Sequence, residues 1–145
     1  TEIYTLSLHD ALPISLHTCL QLKARVIAVR EVSVGTPIGY GRTFKTIKPM
    51  RLAVVAVGYY DGYDRRLSNK GKMLIRNQLA SIVGRIGMNM TTLDVTNIPD
   101  VSVGDEVTVI GGHAGLRLKD IAQIMNVIEY EVMPPLNPSL PRFIV

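Results

Sequence analysis

The 145-residue chain is 47% hydrophobic and 19% charged, which fits one globular domain and excludes a disordered or low-complexity protein. The net charge is +4, but Lys and Arg are scattered along the chain, so the sequence does not predict the continuous basic stripe of a nucleic-acid-binding surface. A single cysteine, Cys19, excludes an internal disulfide, and no apolar run reaches the ~18 residues of a membrane helix, so we expect a cytoplasmic protein without a membrane segment.

The first 15 residues differ from the remainder because they show neither helical periodicity nor sustained alternation. The run Ser7-Leu8-His9-Asp10-Ala11-Leu12-Pro13-Ile14 resembles the conceptual translation of a sequencing adapter. We therefore interpret residues 1–15 as a non-native leader, with a genuine interdomain linker as the alternative, and we expect the domain itself to span residues 16–145.

From Leu20 onward, alternating or continuous apolar stretches predict short strands separated by turns. The predicted strands are residues 20–28, 52–57, 72–76, 79–83, 92–96, 107–110 and 128–132, with a last edge strand at 142–145. We expect the strands on either side of Asn77-Gln78 to form a hairpin.

One short helix is predicted, because Leu118, Ile121, Ala122 and Met125 fall at helical spacing and Asn126 suits a C-terminal cap. Many short strands with turn signals between them are typical of closed or stacked antiparallel sheets. The sequence therefore predicts a mainly β fold, a small β-barrel or sandwich with one short helix.

The most distinctive short motif places a tyrosine between two glycines, Gly39-Tyr40-Gly41, after a strand-like run. Glycine has no Cβ, so the backbone on both sides of Tyr40 can bend and approach other groups closely. A phenol can exchange a proton with a carbon acid when a neighbouring cation stabilises its phenolate. From these residues alone, an acid–base tyrosine and an ordinary surface turn both remain open.

Two further stretches follow this first motif at a distance: Val57-Gly58-Tyr59-Tyr60-Asp61-Gly62, the second motif, and Ile82-Val83-Gly84-Arg85-Ile86-Gly87-Met88-Asn89, the third motif. In their order and intervals, the three motifs resemble the C-terminal domain of alanine racemase, a pyridoxal-phosphate enzyme. The resemblance runs from about Leu20 to the end of the chain and includes Gly104-Asp105-Glu106-Val107 and Tyr130-Glu131-Val132.

The resemblance implies a role for three residues. Tyr40 would be the second catalytic base, Tyr59 would line the substrate entrance, and the backbone around Met88 would contact the substrate carboxylate through a main-chain N–H. The partner base, a lysine that also binds pyridoxal phosphate, would lie on an N-terminal (β/α)8 barrel outside this chain, so no cofactor-binding residue is assigned here. Asp61 is expected to act in its turn and not in catalysis.

The resemblance also implies an activity and a partner. The full-length protein would be an isomerase that interconverts L- and D-alanine and so supplies D-alanine for peptidoglycan in the bacterial cell wall. It would be a homodimer in which the tyrosine of one subunit reaches the active site of the other. The chain on its own is expected to be inactive.

This sequence departs from the pattern of the family in three places. The third motif has Gly87-Met88-Asn89 where the family commonly has Cys-Met-Asp, so one negative charge is lost near the substrate, although Asn89 can still form hydrogen bonds. Tyr60 stands where a small residue is usual. Pro138 falls near a position where some members have a phosphate-contacting tyrosine, and the phosphate would then have to be held by the barrel domain.

Other readings of the sequence remain open. One alternative is a racemase of the same fold that acts on a larger amino acid, such as lysine or serine, with the size of the substrate set by the entrance around Tyr59 and Tyr60. A basic β-barrel that binds RNA is an alternative of another class. A decarboxylase with a related β-domain is disfavoured, because Cys19 does not match the interface cysteine of those enzymes. The histidines His9, His17 and His113 show no ligand spacing, so no metal site is predicted.

Overall fold

The alternating stretch that begins near Leu20 forms the longest strand, β1 (Leu22–Val32), in a computed structural model that describes residues 19–144. The first part of β1 pairs with β8 (Glu106–Ile110) and the later part with β4 (Met50–Val55), both antiparallel. The register shifts between Val26 and Ala28, as at a β-bulge, which increases the local bend of a strand. Because β1 pairs with both β8 and β4, it closes the sheet on itself.

Three further strands, β5 (Lys72–Ile75), β6 (Gln78–Ile82) and β7 (Thr91–Asp94), complete a closed barrel with the order β1-β4-β7-β6-β5-β8. The short strands β2 (Pro37–Ile38) and β3 (Phe44–Lys45) pair with each other in a separate two-stranded sheet. The predicted mainly β fold is therefore confirmed, and of the two predicted architectures the structure is the barrel.

The predicted short helix is also confirmed as α1 (Leu118–Met125). Its apolar face buries Ile121, Ala122 and Met125 against the core of the barrel. Asn126 ends the helix in the left-handed conformation (φ 57°), and its N–H donates to the carbonyl oxygens of the last turn. This helix packs on the barrel core with three of the four residues that gave the helical spacing, and the fourth, Leu118, is partly buried against the same core.

Two clusters of buried side chains organise the domain. The larger fills the barrel and contains, among others, Val26, Ala53, Val55, Met73, Ile75, Ala80, Ile82, Leu93, Val107 and Val109. The smaller consists of Ile38, Met50, Leu52 and Val83, with Val32 and Phe44 packed against it. Ile38 immediately precedes the first motif, and Val83 lies within the third motif. Because both side chains belong to this second cluster, the cluster holds the starting points of the two motifs together.

Two of the predicted strands were wrong. The strand predicted at 128–132 is a 3₁₀ helix (Glu129–Glu131), since Ile128 and Tyr130 are exposed and the backbone bonds locally, with the N–H of Val132 donating to the carbonyl of Glu129 at 3.1 Å. Residues 142–144 do not form the predicted edge strand.

The turn of the β5–β6 hairpin lies one residue earlier than predicted, at Arg76-Asn77. Both residues have positive φ, 49° and 59°, which is the backbone of a tight hairpin turn. The predicted leader at residues 1–15 lies outside the described residues. Within residues 19–144, no helix has both the length and the apolar character needed to cross a bilayer.

Asp105 ties the β5–β6 turn to the loop that precedes β8. Its carboxylate accepts hydrogen bonds from Arg76 Nε at 2.8 Å and Nη2 at 3.2 Å, and from the backbone N–H of Ser102 at 3.0 Å. The hydrogen bond from Arg76, followed by that from Ser102, lowers the pKa of Asp105 to about 2. A carboxyl whose pKa is lower in the folded state stabilises the fold above its unfolded pKa and loses that contribution as the pH falls through its folded pKa.

We therefore expect the free energy of unfolding to fall between about pH 4 and pH 2 more steeply in the wild type than in Asp105→Asn, which lacks the titrating group. At neutral pH the variant should be the less stable of the two. Urea unfolding at a series of pH values measures both effects. Glu31→Gln removes the same charge from an exposed side chain that has no ion pair within residues 19–144, and serves as the matched control. Identical slopes for wild type and Asp105→Asn would contradict the expectation.

Candidate functional site

Tyr40 lies on a 3₁₀ helix (Tyr40–Arg42) that connects the short strands β2 and β3. Gly39 and Gly41 have φ values of 72° and 71°, in the left-handed region that favours glycine. The two glycines turn the chain sharply on either side of Tyr40, whose side chain remains 71% exposed. The predicted tight support for this phenol is present, on a helical turn between two strands.

The first motif rests directly on the backbone of the third. A Cβ on Gly39 would lie 2.9 Å from the backbone nitrogen of Arg85, and a Cβ on Gly84 would lie 2.9 Å from the carbonyl oxygen of Ile38. Neither position has space for a side chain unless the facing segment moves. The guanidinium of Arg85 also lies over Gly41, with Nη1 3.5 Å from the position of a Cβ there. A cation is thus placed beside the turn that bears Tyr40.

The second motif is joined to the third by backbone hydrogen bonds. The N–H of Tyr59 donates to the carbonyl of Gly87 at 3.1 Å, and the N–H of Tyr60 donates to the carbonyl of Met88 at 2.9 Å. This approach requires glycine at position 58, because a Cβ there would lie 2.3 Å from both carbonyl oxygens. The second and third motifs therefore meet with no side chain between them.

The three motifs converge at Gly87. The Cε2 atom of Tyr40 lies 3.6 Å from the position that a Cβ on Gly87 would occupy. The N–H of Tyr59 donates a hydrogen bond to the carbonyl of Gly87, and Met88 is the next residue in the chain. The structure thus brings together all three of the residues that the resemblance singled out, Tyr40, Tyr59 and Met88, and each is exposed.

The groups displayed at this convergence suit the binding and proton chemistry of an anionic ligand. The phenol of Tyr40 can donate or accept a proton, and Arg85 supplies a positive charge. No hydrogen bond within residues 19–144 engages the backbone N–H of Met88, which leaves this donor available. Beside the second motif lies an open groove of about 480 Å³, lined by Tyr59, Gly62, Asp64, Arg65 and Pro135.

Asp61 has the structural role expected of it. Its carboxylate oxygen accepts a hydrogen bond from the N–H of Gly58 at 2.9 Å and so closes the turn of the second motif. In the same loop region, the hydrogen bond from Arg66 lowers the pKa of Asp64, and burial raises the pKa of Tyr63. Tyr63 is packed in the core, so its phenol contributes to the fold and not to the exposed site.

Two asparagines near the site were not anticipated. Asn137 holds the second motif from the C-terminal segment: its N–H donates to the carbonyl of Asp61 at 3.1 Å, and its Nδ2 donates to the carbonyl of Tyr60 at 3.3 Å. Asn69 bonds to the third motif, with its Oδ1 2.6 Å from the nitrogen of Gly84. Each asparagine lies in a loop, where its sequence signal is that of a turn residue and does not reveal a distant partner.

No group of three or more His, Cys, Asp or Glu residues in the described part of the chain could hold a metal ion. His113 lies in the exposed loop after β8, where its Nδ1 contacts the carbonyl of Ala114. The three motifs contain no lysine, so they offer no primary amine to an aldehyde cofactor.

The contact at Gly58 leads to a test by substitution. Gly58→Ala should destabilise the protein by about 3 kcal/mol, because the new methyl group must separate the second motif from the third. The backbone of Gly58 is extended (φ −151°), so steric overlap and not conformational strain is the cause. Gly104→Ala is the control, because Gly104 has a φ of 95° and nothing lies within 4 Å of the added Cβ. This variant has conformational strain without steric overlap and should cost only about 1 kcal/mol. Denaturant unfolding compares the two, and a smaller loss for Gly58→Ala than for Gly104→Ala would contradict the described packing.

Comparison with known proteins identifies the family of this chain. The family model described as "Alanine racemase, C-terminal domain" matches residues 19–144. The alanine racemase of Leptospira interrogans (serovar copenhageni) is 45% identical over 132 residues, which are 90% of this chain and 34% of that protein. The alanine racemase of Syntrophobacter fumaroxidans is 44% identical over 130 residues, 88% of this chain and 34% of that protein. The chain therefore spans about a third of the length of these relatives.

Solved structures give the same result. The biosynthetic alanine racemase of Pseudomonas aeruginosa superimposes with a TM-score of 0.78 at 34% identity, over 85% of this chain and 34% of that chain. The alanine racemase of Bartonella henselae, solved with covalently bound pyridoxal phosphate, superimposes with a TM-score of 0.76 at 34% identity, over 80% of this chain and 32% of that chain. On its sequence and its fold, this chain belongs to the alanine racemase C-terminal domain family.

Proposed function

We propose that residues 16–145 are the C-terminal β-domain of a pyridoxal-phosphate-dependent alanine racemase, an isomerase that interconverts L- and D-alanine. The observation that carries the proposal is the exposed phenol of Tyr40, held on a glycine-flanked turn where three separate motifs meet. Membership of the family supports the reaction, since the relatives that this chain matches over most of its length are alanine racemases.

Racemisation requires that the α-proton leave one face of the amino acid and that a proton return to the opposite face. When bound, pyridoxal phosphate supplies an electron-withdrawing ring that acidifies the α-carbon. In the proposal, Tyr40 transfers the proton on one face and a lysine outside this chain transfers it on the other. The absence of lysine from the three motifs agrees with this division, because the amine would come from another part of the protein.

The neighbouring groups would bind and orient the substrate. The N–H of Met88, which has no hydrogen-bond partner among residues 19–144, is suited to the substrate carboxylate, since a backbone N–H can donate a charge-assisted hydrogen bond. Tyr59 and the adjoining groove would form the entrance for the amino acid. Asn89, at the position of the usual aspartate, retains hydrogen-bonding capacity without a charge.

We further propose that the active protein is a cytoplasmic homodimer in which this domain faces the active site of the partner subunit, and that its D-alanine is used for peptidoglycan. Exposed apolar side chains cluster in the second and third motifs and next to them, at Tyr40, Tyr59, Tyr60, Met88 and Met90. Surface patches of this kind mark interaction sites. A protein surface that carries the cofactor would cover the patch and exclude water from Tyr40.

The RNA-binding alternative receives little support from the charges. Four of the basic residues, Lys23, Arg66, Arg76 and Arg117, form ion pairs with carboxylates of the domain. The phosphate backbone of a nucleic acid would have to compete with these partners. We propose no nucleic-acid partner.

The proposal is tested by Tyr40→Phe in the full-length protein, which removes the hydroxyl and keeps the ring. The rate of racemisation of both enantiomers should fall at least about 100-fold, since a positioned acid–base group contributes at least that factor. Circular dichroism of alanine solutions follows the reaction from either enantiomer. Tyr130→Phe removes a hydroxyl from another exposed tyrosine, 79% accessible, and should leave the rate unchanged.

Wild-type rates in Tyr40→Phe would overturn the role of the tyrosine. A panel of amino acids tests the substrate: faster turnover of lysine or serine than of alanine would favour a racemase of the same fold with a larger substrate. The 145-residue chain alone, supplied with pyridoxal phosphate, should racemise nothing, and activity from it would contradict the assignment of the second base to another part of the protein.

A further inference from the structure

The turn Ser68-Asn69 lies outside the three motifs but is bonded to the backbone of the third. Asn69 Oδ1 accepts a hydrogen bond from the N–H of Gly84 at 2.6 Å. Ser68 Oγ accepts one from the N–H of Ile86 at 3.0 Å. Two adjacent side chains thus bind alternate amides of one segment, so this turn determines where residues 84–86 run.

The other end of the Asn69 amide reaches the turn that bears Tyr40. Asn69 Nδ2 lies 3.3 Å from the hydroxyl oxygen of Thr43, the residue that ends the 3₁₀ helix of the first motif. The orientation of the amide follows from its partners, since the N–H of Gly84 requires an acceptor. The backbone of Asn69 has a φ of 58°, a left-handed conformation that asparagine adopts more readily than most residues.

The contact passes from Gly84 to Tyr40 without an intervening side chain. A Cβ on Gly84 would lie 3.3 Å from the Cα of Gly39, and a Cβ on Gly39 would lie 2.9 Å from the nitrogen of Arg85. A displacement of residues 84–85 therefore displaces Gly39, which immediately precedes Tyr40. Asn69 holds this support on one side of the phenol through Gly84 and on the other through Thr43.

We propose that Asn69 is a positioning residue for Tyr40: one side-chain amide fixes both the segment against which Gly39 packs and the end of the turn that carries the phenol. The inference rests on the racemase function proposed above. It assigns to Asn69 no contact with the substrate or the cofactor. Its effect is on the geometry of proton transfer, where a displacement of about 1 Å can cost up to 100-fold in rate.

The test is Asn69→Gly in the full-length enzyme. Glycine adopts a φ of 58° without strain, so the substitution removes the hydrogen bonds and keeps the turn. We expect kcat to fall about tenfold with little change in KM for alanine. With α-deuterated substrates, the kinetic isotope effect should rise only for the enantiomer whose α-proton Tyr40 removes, because only that transfer depends on the displaced phenol.

A second readout needs no cofactor. In the cofactor-free protein, hydrogen exchange at the N–H of Gly84 should become faster in Asn69→Gly, since its acceptor is gone. Asn77→Gly is the matched control: Asn77 has a φ of 59° on the β5–β6 turn and is exposed, and its side chain has no hydrogen bond to any residue in the range 19–144. This control should retain wild-type kinetics and wild-type exchange at Gly84.

Substitution of Thr43 tests the other contact of Asn69. Thr43→Val removes the hydroxyl and should reproduce part of the loss in kcat, together with the one-sided isotope effect. Thr43→Ser keeps the hydroxyl and should restore both to wild-type values. A loss that Thr43→Ser does not restore would overturn the part of the proposal that involves Thr43.

The outcomes separate this inference from the function on which it rests. If Tyr40→Phe abolishes racemisation while Asn69→Gly keeps wild-type kcat and isotope effects, the positioning role is overturned and the racemase function stands. A lower content of active enzyme with unchanged isotope effects would likewise overturn it, since Asn69 would then act on stability alone. Wild-type rates in Tyr40→Phe would overturn both proposals.

Discussion

The arrangement of the site depends on one steric constraint, the contact between two backbones at Gly58. The loop of the second motif lies so close to residues 87–88 that a Cβ on Gly58 would fall 2.3 Å from two carbonyl oxygens. Gly39 and Gly84 form a second contact of the same kind, which supports Tyr40. Because backbones in contact cannot shift as side chains can, the relative positions of the three motifs are set by the barrel strands from which they emerge.

This rigid support contrasts with the exposure of the groups that it presents. Tyr40 is 71% exposed, and no hydrogen bond joins its hydroxyl to the part of the chain that the structure describes. A phenol that is held firmly at its backbone and left unpaired at its hydroxyl is suited to a partner outside the domain. Functional groups on loops that a scaffold positions commonly have this design. It agrees with a site whose cofactor is carried by a different protein surface.

The sequence predicted much of this structure, because the features concerned are local. Apolar alternation located β1 and the hairpin of β5 and β6, helical spacing located α1, and the order of the glycine-containing motifs brought Tyr40 into consideration. The strand predicted at 128–132 was wrong because Ile128 and Tyr130 alternate in sequence but face solvent. Closure of the barrel and the bonds of Asn69 depend on residues far apart in the chain, and a turn signal does not reveal such partners.

In the proposed enzyme, the phenol of Tyr40 faces an amino acid held by another part of the protein. The most direct measurement is a crystal structure of the full-length protein with pyridoxal phosphate and an unreactive alanine analogue, in which the distance from Tyr40 Oη to the α-carbon is read. We expect this distance to be about 3 to 3.5 Å, the separation of reacting groups poised for transfer. A hydroxyl that faces bulk solvent, with another side chain on that face of the α-carbon, would contradict it.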